Sequence, residues 1–92
     1  MDIYEQMAVR IIQSQEKIIS NEALNEAKNV QGLQIEWEKK MVAITGDKKK
    51  VIEQLIEQYR DHFGQPAVEM CKQAVKDLII KLPQGQTPQQ LQ

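Results

Sequence analysis

The sequence predicts a small α+β domain with elements in the order α-α-β-β-α-α. Three observations carry this. Apolar residues recur at helical spacing over most of the chain. Only Leu33 to Thr45 breaks that rhythm, first with period-two alternation and then with a short apolar run. A lone two-stranded sheet is marginal in water, so helices must cover the predicted hairpin, or a second copy must extend it, or both.

The first helix spans residues 2–19. Ile3, Tyr4, Met7, Ala8, Ile11, Ile12, Ile18 and Ile19 share one half of its wheel, and Gln6, Arg10, Gln13, Glu16 and Lys17 take most of the other. Val9 falls on the outer half. Gln15 falls inside the apolar stripe, where its amide must reach water, a neighbouring backbone or a second chain. Ser20-Asn21 punctuates the chain and caps a short helix over Glu22–Asn29, with Ala23, Leu24 and Ala27 inward. Gly32 ends this helical region.

Leu33, Ile35 and Trp37 alternate with Gln34, Glu36 and Glu38, giving one apolar and one wet face. Met41–Thr45 lacks clean alternation and reads as a strand buried on both faces. The link Glu38-Lys39-Lys40 is too short for a crossover, so the strands pair antiparallel.

Asp47 is a good N-cap for a helix over Lys48–Phe63, with Val51, Ile52, Leu55, Ile56, Tyr59 and Phe63 in one stripe. Gly64 stops it, and Pro66 suits the first turn of a last helix reaching about Lys81. That helix has an apolar face half a wheel wide, centred on Cys71, and so packs on two neighbours. From Pro83 the chain reads PQGQTPQQLQ. This Gln- and Pro-rich stretch predicts a disordered tail over residues 83–92 after a single domain over residues 1–82.

A chain of 92 residues supports one domain, and folding buries only roughly 60–65% of its unfolded surface. With 4% aromatic residues the core must be aliphatic. The net charge of −1 lacks the basic excess of a dedicated nucleic-acid binder. One cysteine allows no internal disulfide, and the first residues show no secretory pattern. No apolar run approaches the ~18–20 residues that cross a bilayer. A cytoplasmic protein without membrane contact is the expectation.

The chemistry-bearing residues are sparse. His62 is the only histidine, and with Cys71 nine residues away it cannot make up the four ligands of a structural zinc site. Cys71 sits mid-stripe, the place of an inert thiol. Glu53 with Glu57, and Glu36 with Glu38, lie on wet faces and lack the burial that splits an acid/base pair. No nucleotide fingerprint is present, so no cofactor, metal or catalytic set is expected. A deep pocket lined by Gln15, Tyr59 and His62 is the arrangement that would point back to an enzyme.

The sequence therefore favours a non-enzymatic protein-interaction or regulatory module acting as a homodimer, with Trp37, Met41, Ile11 and Ile18 as interface candidates. Two-fold pairing joins the hairpins into four strands, or joins the first and last helices. The alternative is an anion or nucleic-acid contact through Lys39, Lys40, Lys48, Lys49 and Lys50. Three of these fill a helix's first turn, against its dipole. The intervening strand of roughly 17 Å puts the two lysine groups at opposite ends of the hairpin.

Overall fold

A computed structural model describes residues 1–92. It contains α1 (Ile3–Ile19), α2 (Asn21–Ala27), β1 (Leu33–Glu36), β2 (Met41–Ile44), α3 (Lys48–Phe63) and α4 (Gln65–Ile79), with 3-10 turns at Trp37–Lys39 and Gln89–Leu91. The α-α-β-β-α-α order and the α+β class are as expected.

Helix α1 begins with a capping box that also ties it to the sheet. The Asp2 carboxylate accepts from the Glu5 amide at 2.9 Å, and Glu5 Oε1 accepts from the Asp2 amide at 3.1 Å. The other oxygen of Glu5 accepts from the Ile44 amide at 3.0 Å, which covers part of the outer edge of β2. On the same side of α1, Glu16 accepts from the Trp37 indole at 2.7 Å. Val9 lies between these two glutamates on the helix surface. It is therefore buried against the hairpin side, not on the outer face that a single apolar stripe implied. Arg10, on the α4 side, makes a bidentate pair with Asp77 at 2.9 and 3.2 Å and also donates to the Ala74 carbonyl. Helix α1 is thus the central element, contacting α2, α3, α4 and β2.

The hairpin is antiparallel, with Leu33 opposite Ile44 and Ile35 opposite Val42 on the helix-facing side. Gln34, Glu36, Met41 and Ala43 face outward and are exposed. Two expectations change here. Strand β2 is buried on one face only, because no layer covers the other. Strand β1 stops at Glu36, because Trp37 enters a 3-10 turn closed by Lys40 in the left-handed region, φ 51°. The Lys40 amide donates back to the Trp37 carbonyl, so the strand ends two residues short of the alternation, which runs to Glu38.

Gly32 has φ +89°, and the Thr45 amide donates to its carbonyl at 2.9 Å where the hairpin closes. Gly64, φ +82°, is the sole residue between α3 and α4 and lets the chain reverse at once.

The core is one cluster of aliphatic side chains from all four helices and both strands, plus Tyr59, whose hydroxyl donates to the Ala23 carbonyl. Gln15, 1% exposed, donates to the Ala67 carbonyl of α4 at 3.1 Å and to Cys71 Sγ at 3.5 Å. Its amide therefore bonds within the chain.

The disordered tail is not observed. Pro88 and Leu91 are buried, and the folded unit extends to the C-terminal turn. The Tyr4 hydroxyl donates to the Gln86 carbonyl at 2.7 Å, and the Lys49 ammonium donates to the Gly85 carbonyl at 3.2 Å. Composition is an average, and here two apolar anchors three residues apart, with polar tethers either side, decide the outcome.

Candidate functional site: an apolar groove

The last turn of α1 runs past the corner where α3 meets α4. Gly64 alone joins the two helices there, and Pro66 starts α4 without a donor amide. A cavity of about 670 Å3 results, lined by Ile18, Ile19, Phe63, Pro66, Ala67 and Met70, with Gln15 among its walls. Ile18 is 57% exposed and Phe63 36%, both large apolar side chains left in water. Gln65, Glu69 and Gln73 form a polar rim, and Gln65 Nε2 donates to Glu69 at 3.1 Å. In the floor, the Gln15 amide is bonded to the Ala67 carbonyl of α4.

No His, Cys, Ser or Lys side chain lines the groove. Cys71 lies beneath it, and burial pushes its thiol up to about 12, with the Gln15 hydrogen bond opposing only weakly. Such a thiol stays protonated and unreactive at neutral pH. Tyr59 and His62 are not in the lining. Tyr59 is wholly buried, and burial raises its hydroxyl far above the ordinary value. His62 is exposed and lies 3.2 Å from Glu26 on α2. Nowhere do three His, Cys, Asp or Glu side chains gather to hold a metal ion.

The sequence-derived candidates separate. Ile18 lines the groove. Ile11 is fully buried and is corrected from interface candidate to core residue: it faces the centre of the helix layer. Met41 is exposed on the outer hairpin face, away from the groove lining. Trp37 is half-buried, its indole N–H bonded to Glu16 and its ring under the Lys40 ammonium, 4.3 Å from the centroid. Phe63 belongs to the sequence-predicted stripe of α3, and Met70, next to Cys71, to the wide apolar face of α4. The signal that could have found them is Gly64-Gln-Pro66, a helix corner without bulk.

The five lysines do not form one patch. Lys39 pairs with Glu36 at 3.5 Å, and Lys40 covers Trp37. Lys48 pairs with Asp2, and Lys49 holds the Gly85 carbonyl, so only Lys50 is uncommitted. Hydrogen bonding to Asp2 raises the Lys48 ammonium. Partial burial alone would raise the Asp2 carboxyl, but bonds to Lys48 and to the Glu5 amide outweigh it and hold it low. Of the first-turn lysines, Lys48 thus tethers α3 to the start of α1 and Lys49 tethers it to the C-terminal turn.

No helix is long and apolar enough to cross a membrane. Comparison with protein families, with curated proteins and with solved structures finds no match to this chain.

Proposed function

We propose that this chain is a non-enzymatic protein-interaction module, and that it docks through the groove between the end of α1 and the α3–α4 corner. The observation that carries the reading is an apolar wall with Ile18 and Phe63 standing in water. A volume of about 670 Å3 falls within the roughly 300–1,000 Å3 typical of sites that bury a ligand or anchoring side chains. Aromatic and aliphatic anchors with a polar rim are what binding hot spots use.

The occupant we favour is a second copy, related by a two-fold axis and placing its own Ile18 and Phe63 against the first. This is the pairing through the first and last helices. The hairpin alternative has less support, because Glu5 already takes the Ile44 amide on one edge. The lone buried thiol fits a reducing cytoplasm. The anion-binding alternative also has less support, since four of its five lysines are engaged within the chain.

Sedimentation equilibrium of the native chain and of Ile18→Glu tests the reading. A dimer that becomes a folded monomer on substitution supports it. A native chain that stays monomeric at high micromolar concentration removes the homodimer.

A further inference from the structure

We propose that the two lips of the apolar groove are complementary in charge to each other, so that a second copy docks in one register, with Lys17 of each copy paired to Glu69 of the other. This rests on the reading of the groove as a self-association site and names the residues that set its orientation.

Helices α1 and α4 run antiparallel along one seam. Gln15 donates to the Ala67 carbonyl, and Arg10, earlier in α1, donates to the Ala74 carbonyl, later in α4. The groove opens at one end of this seam and continues along it as a smaller cavity of about 290 Å3, with Met70 and Gln73 common to both. Lys17 borders the continuation on the α1 side, and Glu69 borders the groove on the α4 side. The Gln15 bond sets their levels. Lys17 is two residues beyond Gln15 and Glu69 two beyond Ala67, so they lie within about one helical turn of each other along the seam.

Neither charge is fully used inside the chain. Lys17 is exposed and pairs with no carboxylate of its own chain. Glu69 holds Lys72 at 3.5 Å and accepts from Gln65 at 3.1 Å, both through Oε2, so Oε1 is free for a second cation. The Lys72 contact joins exposed neighbours one turn apart, a weak kind of pair that yields readily.

A two-fold axis parallel to the seam lays α1 of one copy over α4 of the other at the same level. Lys17 then meets Glu69 on both sides of the apolar wall. Each helix around the groove also has antiparallel neighbours, as in an up-down bundle. An apolar wall alone accepts many registers, and two ion pairs select one. An unlike partner needs its own acid and base at this spacing. A second copy supplies both by symmetry.

Sedimentation equilibrium at low salt compares the native chain, Lys17→Glu, Glu69→Lys and an equimolar mixture of the two variants. Either variant alone sets like charges together at both contacts, and its dimer should weaken by about tenfold or more. In the mixture each contact again joins opposite charges, and dimerisation should return to near the native strength. Recovery on mixing cannot come from folding damage in either variant. A native dimer that both variants leave unchanged, or a mixture as weak as its parts, overturns the register and leaves the groove reading standing. A native chain that stays monomeric at high micromolar concentration overturns both and gives the groove to an unlike partner.

Discussion

Replacing Gly32 with alanine tests the tightest junction in the fold. Gly32 has φ +89°, and a Cβ there meets the Thr45 carbonyl oxygen at 2.9 Å and Val51 Cγ2 at 3.1 Å. The backbone conformation alone costs a non-glycine residue about 1–2 kcal/mol. Reduced freedom of the unfolded chain offsets about 0.4–1 kcal/mol of that. Relieving the contact means parting residues 32 and 45, which weakens the Thr45–Gly32 hydrogen bond, worth about 1 kcal/mol. Val51 is β-branched within a helix and has little rotamer freedom with which to yield. The expected loss is about 1–3 kcal/mol, or roughly 5–20 °C in Tm for a domain of this size. Gly46 supplies the control. Its φ is +85°, but nothing lies within 4 Å of the added Cβ. Gly46→Ala should therefore lose only the conformational part, about 1 kcal/mol less than Gly32→Ala. Urea denaturation of both variants gives the difference directly. Equal losses would refute the close approach of residues 32 and 45.

Three further outcomes are expected. Ser20 has φ 50° and ψ −128° with no side-chain cap bond, so Ser20→Gly should stabilise by a few tenths to about 1 kcal/mol in the same assay, and a loss would contradict the strain. Cys71 should resist a thiol reagent at mildly alkaline pH until urea unfolds the chain, whereas rapid labelling of the folded protein would contradict its burial. Asp77, held low by its hydrogen bonds to Arg10, and Asp2, held low by Lys48, bind fewer protons folded than unfolded. Their stabilisation is thus present above the ordinary value of 3.8 and lost as pH falls through the lower folded values. Arg10→Gln and Lys48→Gln should each flatten that acid loss in pH-dependent melts, and an unchanged slope would count against the pairs.

The sequence was most legible where local chemistry and long-range packing agree. Helix α3 begins after Asp47 and ends before Gly64 as read, since both caps act within one turn. The capping box of Asp2 and Glu5 is local in the same way, since both of its bonds close within one turn. Val9 falls on the wrong half of the wheel, because a division into two halves assumes one buried face and α1 has several neighbours. Trp37 and the C-terminal turn failed for a shared reason. A pattern of alternation, or a run of Gln and Pro, carries no information about which distant side chain waits for it. Glu16 and Lys40 hold Trp37, and Tyr4, Lys49 and Glu53 hold the turn. The groove was half legible. Ile18 stood out as apolar, but Phe63 and Met70 join it only because Gly64 folds α4 back beside the end of α1.

Methyl chemical shifts followed through a dilution series, from high to low micromolar, test the docking groove most directly. Self-association through the groove moves the Ile18, Ile19 and Met70 methyls with concentration and leaves Met41 and Ile80 still. Shifts centred on Met41, or no concentration dependence at any methyl, would contradict it.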